Sequence, residues 1–228
     1  IKEAKHLVEN GVKELIIIAQ DTTFYGCDLY NKQMLNTLLE RLAKESNAEW
    51  IRLHYTYPSD FPLEVIDTIN KYPNICKYID IPFQHTDNEI LEKMKRGHTL
   101  KDIETIVSHI RKTSKNIHIR TTFITGFPNE TAKQHKELVN NLKIFKFERA
   151  GVFTYSEEEG TAAAQYKDNV SQKTKEKRLQ EIMTIQEEIS YQNNIKKIGN
   201  IFKVIIDEVH DSYLLARTEY DSPEIDNL

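Results

Sequence analysis

The chain has 228 residues, of which 39% are hydrophobic and 29% charged, and its formal net charge is −4. That length allows one barrel-sized α/β domain with a small appendage, and the composition is that of a globular rather than a disordered protein. No apolar run reaches the ~20 residues that a bilayer span requires, and the charged first ten residues are unlike a signal peptide. A cytoplasmic protein with no membrane partner is therefore expected, and its acidic balance favours a basic partner over nucleic acid.

Helical and strand-like patterns alternate along the first two thirds of the chain. The apolar run at 14–19 is typical of a parallel strand covered on both faces. Further strands are predicted at 50–55, 78–82, 117–124 and 150–155, and helices at 1–10, 33–44, 62–72, 88–95, 100–113 and 132–146. This alternation implies right-handed βαβ crossovers and a parallel sheet, either open and doubly wound or closed into a whole or partial (β/α) barrel. Because the pattern starts on a helix, a preceding strand and its loop are expected to be missing.

The remaining third predicts a long helix and a hairpin. Residues 171–197 form a charged amphipathic pattern that would close the domain. The runs at 201–209 and 213–217 predict a β-hairpin, which is marginal by itself and therefore indicates the start of a small antiparallel β-domain. The expected division is 1–197 for the α/β part and 198–228 for the β part.

Polar side chains stand at the end of each predicted strand, where parallel α/β proteins bind their ligands. They are Gln20 and Asp21, His54, Gln84 and His85, the run from Arg120 to Thr125, and Tyr155 with Ser156. Asp21 could instead cap a helix, and His54 could be a satisfied core imidazole. Arg120 is the sharpest candidate, because an arginine inside an apolar strand needs a carboxylate or a comparable acceptor.

The segment 122–131 is the most distinctive loop. Gly126 permits a close approach of backbone to ligand, and Glu130 stands beside a helix start that Thr131 and Gln134 mark as a capping box. A tight βα turn with an ordinary cap would explain the same residues.

No metal site is expected in this chain. His54 and His85 could share a metal at the barrel mouth with Asp21 or Asp80 as a carboxylate ligand, but this is disfavoured. The two histidines lack the HxH or HExxH spacing of a metal centre, and no glycine-rich phosphate loop is present. Cys27 and Cys76 are too few and too far apart for a zinc ribbon or a redox pair.

Six segments together resemble the radical S-adenosylmethionine (SAM) core of the methylthiotransferase family. They are AQDTTFYGCDLY at 19–30, WIRLHYTYP at 50–58, YIDIPFQH at 78–85, MKRGHT at 94–99, RTTFITGFPNET at 120–131 and FTYSEEEGTAA at 153–163. The resemblance implies a partial (β/α) TIM-like barrel followed by the start of an antiparallel TRAM β-domain.

Residues 216–227 resemble the TRAM start of the branch that methylthiolates an aspartate of a small-subunit ribosomal protein. From Arg217 to Leu228 the net charge is −3, which suits a basic ribosomal protein and makes tRNA an unfavoured partner. A tRNA adenosine methylthiotransferase stays an alternative, as does a noncatalytic module that holds a ribosomal protein. An ordinary metal or Schiff-base barrel enzyme is disfavoured, because no metal cluster or convergent lysine is evident at the strand ends.

The resemblance also implies cofactors and a mechanism. Reductive cleavage of SAM at a 4Fe-4S cluster, with an electron donor, would give a radical that abstracts hydrogen from the substrate. Sulfur would come from an auxiliary cluster and the methyl group from a second SAM. The CxxxCxxC loop and the cluster domain of the family are not in this sequence, so the chain is not expected to hold a cluster or to be active by itself.

Site residues follow from the resemblance position by position. SAM contacts are implied at Gln20, Gln84, Arg120, Ile124, Thr125 and Gly126. The substrate rim is implied at Phe153, Tyr155 and Ser156. Negative charge, and not the resemblance, makes Glu219, Asp221, Glu224 and Asp226 the candidates for contact with a basic ribosomal protein. One departure is Thr122, which replaces a glycine of the family's motif on the fourth strand.

Overall fold

The computed structural model describes residues 1–114 and 116–226, so the predictions for the last two residues, 227 and 228, lie outside the described residues. Its first part holds five parallel strands in two ladders. They are β1 (Glu14–Ile17), β2 (Trp50–Leu53), β3 (Tyr78–Asp80), β4 (His118–Thr125) and β5 (Arg149–Thr154). β1 pairs with β2, and β4 lies between β3 and β5.

The two ladders meet between β2 and β3. Ile51 forms a parallel bridge with Ile75, and the Thr56 amide donates to the Asp80 carbonyl at 2.9 Å. The strands therefore follow one another in chain order without reversal, as in a (β/α) barrel and unlike a doubly wound sheet. The predicted barrel fold is confirmed.

Helices lie between consecutive strands, one precedes the first strand and one follows the fifth, and all except the short helix at Cys27–Tyr30 were predicted. They are α1 (Lys2–Glu9), α2 (Cys27–Tyr30), α3 (Leu35–Glu45), α4 (Glu64–Lys71), α5 (Asn88–Lys93), α6 (Leu100–Thr113), α7 (Ala132–Phe145) and α8 (Gln172–Ile195), with 3₁₀ turns at Thr22–Phe24 and Ala162–Gln165. The buried residues of α6, namely Ile103, Ile106, Val107 and Ile110, recur at the helical period and face the sheet. The capping box of Thr131 and Gln134 is present at the start of α7.

Some strands are shorter than predicted, and β1 shows the reason. It ends at Ile17, and Asp21 then accepts a hydrogen bond from the Thr23 amide at 2.8 Å to start a 3₁₀ turn. A carboxylate that captures a nearby amide takes the backbone out of the sheet. Asp21 is thus a capping residue, the simpler of its two interpretations.

The strands have one apolar and one polar face. Ile51, Leu53, Ile79 and Ile119 join the core under the helices. Because side chains alternate along a strand, the neighbouring Trp50, Arg52, Tyr78 and Arg120 lie on the opposite face, which we call the inner face.

A hairpin and a short tail complete the described chain. β6 (Val204–Val209) and β7 (Leu214–Thr218) are antiparallel, with an irregularity between Ile206 and Glu208. The residues after β7 turn back onto the inner face. Across the described residues, no helix is both long and apolar enough to cross a membrane.

Candidate functional site

Most of the residues predicted to contact SAM and the substrate lie at or just after the carboxyl ends of the strands. Arg120 does not, because it is the third residue of β4 and lies near the start of that strand. Gln84 and the end of β4 touch directly, because the Ile124 amide donates to the Gln84 carbonyl at 2.7 Å. The Tyr155 amide donates to the Thr125 carbonyl at 2.9 Å, which adds β5 to the same edge. Gln20, Phe153 and Ser156 are exposed there, and within the described part of the chain no hydrogen bond joins Gln20 to the others.

Gln84 is held in an uncommon conformation. Its φ is +68°, a left-handed value that a non-glycine residue rarely adopts without a structural or functional reason. Its backbone bonds to β4 on both sides, since its amide also donates to the Thr122 carbonyl at 2.8 Å. The side-chain Oε1 is buried and has no partner in the described structure. Two backbone hydrogen bonds to β4 therefore fix Gln84, and its Oε1 can accept a hydrogen bond from a ligand beside the end of that strand.

Glu130 organises the turn after β4. Its carboxylate accepts hydrogen bonds from the amides of Gly126 and Phe127, the latter at 3.2 Å. Arg178 of α8 pairs with the same carboxylate at 3.2 Å. Burial raises the pKa of Glu130, while the Arg178 guanidinium and the turn amides oppose that rise. Glu130 therefore fixes the Gly126 backbone, a role that its position beside a helix start only partly indicated.

Gly126 leaves no room for a side chain. Its φ is +74°, and a Cβ there would collide with the side chain of Lys175. Lys175 is buried, donates to the Tyr155 carbonyl at 3.0 Å and pairs with Asp168 at 2.5 Å. Sequence reasoning missed Lys175, because it lies in a charged helix where most lysines face water.

Arg120 finds its acceptors inside the chain. Its Nη1 lies 3.0 Å from Asp80 Oδ1 and its Nε lies 3.5 Å from Asp226 Oδ1. The requirement for a carboxylate was correctly recognised, but two carboxylates of the protein meet it. A contact between Arg120 and the SAM carboxylate remains a prediction, in which the ligand would share the guanidinium with Asp80 and Asp226.

We call residues 217–226 the C-terminal segment. Three of the four predicted partner-binding acids in this segment point into the protein. Asp221 pairs with Arg149 at 2.5 Å, Asp226 accepts from the Tyr78 hydroxyl at 2.8 Å, and Glu219 accepts from the Lys77 amide at 2.9 Å. Glu224 alone of the four is exposed. The expected free acidic surface is therefore not present in this segment, because its carboxylates bond to the inner face.

More inner-face residues hold the same segment. Glu14 pairs with Arg52 at 2.7 Å and also with Arg217. Ser222 lies 2.9 Å from His54 Nε2, which makes His54 a satisfied core imidazole. Arg52 was missed, although an arginine inside an apolar strand is the signal that singled out Arg120.

The cysteines and histidines do not form a metal centre. Burial raises the pKa of Cys76 to about 12, so it stays a thiol, and burial lowers the pKa of His85 to about 4, so it stays neutral near pH 7. Among the described residues no group of three potential metal ligands comes together.

Parallel strands in chain order, polar groups at their carboxyl ends and a glutamate-held turn after β4 define a (β/α) barrel core with a candidate ligand site. The sequence profile of the Radical SAM superfamily matches residues 1–142, and the chain belongs to that superfamily. The TRAM domain profile matches residues 198–228.

Two relatives extend the likeness over the whole chain. The ribosomal protein uS12 methylthiotransferase RimO of Christiangramia forsetii is 48% identical over 227 residues, which are 100% of this chain and 50% of the relative. The protein of the same name from Bacteroides fragilis is 46% identical over 99% of this chain and 52% of its own length. The chain thus spans about half the length of the curated relatives that it matches.

Solved structures share the fold. Coproporphyrinogen III oxidase (HemN) from Escherichia coli, a radical SAM enzyme, matches with a TM-score of 0.60 and 16% identity over 82% of this chain and 44% of its own. The methyltransferase TsrM from Kitasatospora setae, solved with cobalamin and a [4Fe-4S] cluster, matches with a TM-score of 0.52 and 19% identity over 67% of this chain and 29% of its own.

The cofactors of the superfamily are SAM and 4Fe-4S clusters, and the residues here fit only the first. In the part of the chain that the structure describes, the buried Oε1 of Gln84 and the buried hydroxyl of Tyr155 lack partners, and Gly126 keeps its turn free of a side chain. These features suit a polar ligand at the strand ends. Cys27 and Cys76 cannot supply the three thiolates of a cluster, so the cluster does not fit this chain.

Proposed function

We propose that this chain is the core of a radical SAM methylthiotransferase that modifies an aspartate of the small-subunit ribosomal protein uS12. The observation that carries the proposal is 45–48% identity, along the whole chain, with proteins that bear this name. The identity includes both the barrel and the start of the TRAM domain.

In this function the chain would hold SAM and shape the substrate rim. Gln84 would accept a hydrogen bond from the ligand through Oε1, and the Ile124–Gly126 backbone would lie against it, held by Glu130 and Lys175. SAM, when bound, supplies a radical precursor and a methyl group. Phe153, a residue that is 62% exposed, and the exposed Ser156 would contact the substrate protein, whereas Tyr155, the third residue of the predicted rim, is only 8% exposed.

The choice between ribosomal protein and tRNA rests on the relatives and not on charge. The acidic C-terminal segment had argued against tRNA, but three of its four carboxylates bond inside the chain. A ribosomal substrate would place the reaction in the cytoplasm, and cleavage of SAM would require an electron donor.

Mass spectrometry of ribosomal proteins and of tRNA nucleosides, from cells with and without the full-length gene, tests the proposal. We expect a methylthio group to disappear from one aspartate of uS12 in the deletion strain, with tRNA unchanged. Loss of the group from a tRNA adenosine would assign the protein to the tRNA branch. If both kinds of molecule are unchanged, neither methylthiotransferase assignment holds and a noncatalytic binding module becomes the better description.

A further inference from the structure

A cleft of about 740 Å³ lies at the end of the sheet opposite the candidate SAM site. It is bordered by His118 at the start of β4, by the last residues of α6, α7 and α8, and by Phe202 and Tyr220. Because β4 runs from His118 to Thr125, the length of that strand separates the cleft from the turn at Gly126. The cleft is therefore distinct from the site described above.

The cleft carries an excess of positive charge. Arg111, Lys146, Lys196 and Lys197 line it together with a single acidic residue, Glu148. Arg111 pairs with Glu148 at 3.0 Å, so these two charges offset each other. In the described parts of the chain none of the three lysines has a carboxylate within ion-pair distance. Three ammonium groups thus remain without a carboxylate partner.

Helix ends account for two of these lysines but not for the third. Lys146 and Lys196 cap the carboxyl ends of α7 and α8, where a cation offsets the exposed carbonyl groups. Lys197 lies beyond the end of α8 with its Nζ 5.6 Å from the centre of the Tyr220 ring. Burial lowers its pKa, and nearby Asp221 only partly offsets this effect. Burying the charged Lys197 ammonium group costs free energy, and a bound anion would offset that cost.

Two further nitrogen atoms at the cleft lack hydrogen-bond partners among residues 1–114 and 116–226. Asn193 accepts a hydrogen bond from Lys196 through Oδ1, which leaves its buried Nδ2 without an acceptor. His118 is only 8% exposed, and its Nδ1 has no hydrogen-bond partner in the described structure. Most buried polar groups in native proteins are paired. These nitrogens, beside three ammonium groups that have no carboxylate partner in the described structure, indicate that an acceptor with several oxygen atoms belongs here.

The Tyr220 ring at the cleft is already engaged by its neighbours. Tyr220 stacks on His118 with ring centres 4.3 Å apart, and Phe202 meets Tyr220 edge-on at 6.0 Å. With Lys197 over the same Tyr220 ring, the ring faces are taken. The cleft therefore suits a compact anion better than a nucleobase.

We propose that this cleft binds a phosphate group through Lys146, Lys196 and Lys197, with Asn193 and His118 completing its hydrogen bonds. The phosphate belongs either to a free phosphorylated molecule or to the backbone of an RNA. Phosphate oxygens accept several charge-assisted hydrogen bonds at once, which matches the convergent donors of the cleft.

Titration of this chain with inorganic phosphate at low ionic strength tests the site, followed by calorimetry and by the NMR signals of His118. We expect saturable binding, a rise in the pKa of His118 as phosphate binds, and about tenfold weaker binding in Lys197→Gln, the effect of losing one charge-assisted hydrogen bond. Lys173→Gln is the matched control, because Lys173 is exposed at the other end of α8. Urea unfolding of both variants separates a loss of binding from a loss of folding.

A ten-nucleotide single-stranded RNA distinguishes the two sources of phosphate. Tight binding that weakens steeply with salt and is reduced in Lys197→Gln would assign the site to an RNA backbone. Saturable binding of inorganic phosphate that the RNA does not displace would assign it to a free phosphorylated molecule. The proposal is overturned if neither probe binds saturably, or if Lys173→Gln weakens binding as much as Lys197→Gln does.

Discussion

At the residue scale, Gln84 combines a strained backbone with an unsatisfied side-chain acceptor. Left-handed φ at a non-glycine residue costs of order 1 kcal/mol, and the strand β4 keeps it in place through two hydrogen bonds. A buried acceptor without a partner is a further cost. Both costs fall on one residue at the strand ends, which is where a ligand would compensate them.

Gln84→Asn in the full-length protein should weaken SAM binding by about tenfold. Asparagine tolerates the left-handed conformation and keeps an amide, but its shorter side chain withdraws the acceptor from the site. Calorimetry with SAM measures the affinity, and urea unfolding should show a change below about 0.5 kcal/mol. Unchanged affinity would remove Gln84 from the cofactor site.

Gly126→Ala should destabilise the fold more than an equivalent change elsewhere. We expect a loss of about 3 kcal/mol, because alanine meets both a left-handed φ and the side chain of Lys175. Gly199→Ala is the control, since Gly199 has φ +84° with no atom near its Cβ position, and it should cost about 1 kcal/mol. Equal losses of unfolding free energy in urea would mean that Lys175 moves aside without cost.

At the element scale, the C-terminal segment is fixed by contacts with strands that lie far away in the chain. Asp221 and Arg149 are 72 residues apart, and Asp226 and Tyr78 are 148 residues apart. The sequence shows that this segment has four carboxylates, but it does not show whether they face solvent or the barrel. That depends on hydrogen-bond and ion-pair partners far away in the sequence. This is why the acidic surface was expected and an inward-facing set of ion pairs was found.

Features that depend on residues close together in the sequence were predicted correctly. The capping box at Thr131 and the alternation of strands and helices were predicted, because caps and periodicity depend on residues a few positions apart. Lys175 and Arg178 reach the candidate site from the first two turns of α8, and no nearby residue in the sequence reveals that they point inward. The strand-end position of the site was therefore predictable, but its support from α8 was not.

Asp221→Asn should release the C-terminal segment from the barrel. The change leaves the Arg149 guanidinium without its charged partner, and removing one member of a buried pair costs about 3 kcal/mol. Hydrogen–deuterium exchange should accelerate at 217–226, and the free energy of unfolding should fall. Glu224→Gln removes the same charge from an exposed position of the same segment and should leave both measurements unchanged. An equal response of the two variants would show that the ion pair does not hold the segment.

At the scale of the whole molecule, the chain places charged groups on the inner face of a sheet whose other face is apolar. Arg52 is fully buried there, bonded to Glu14 and to the Glu219 carbonyl, so the hairpin and the barrel share one polar interior. Such an interior depends on protonation states as well as on packing. The stability of the molecule should therefore depend on pH.

Buried histidines give this pH dependence a definite sign. Burial lowers the pKa of His85 from 6.5 to about 4, with Asp87 opposing the shift and His135 and Arg178 reinforcing it. Below pH 6.5 the unfolded chain binds the proton that folded His85 rejects, so stability is full above that pH and falls as the pH drops towards 4. At about 1.4 kcal/mol per pH unit, His85 alone should account for a loss of about 3 kcal/mol.

Urea unfolding of the chain at pH 7, 6 and 5 should show about 2 kcal/mol of this loss, because pH 5 lies about 1.5 units below 6.5. His85→Gln should flatten the fall because glutamine does not titrate. Burial lowers the pKa of His118 as well, to about 3, so part of the dependence should remain in that variant. His6→Gln changes an exposed histidine on α1 and should keep the full dependence. If His85→Gln shows the same slope as the unmodified chain, the acid sensitivity originates in other groups, and His85 is protonated in the folded protein at its ordinary pKa.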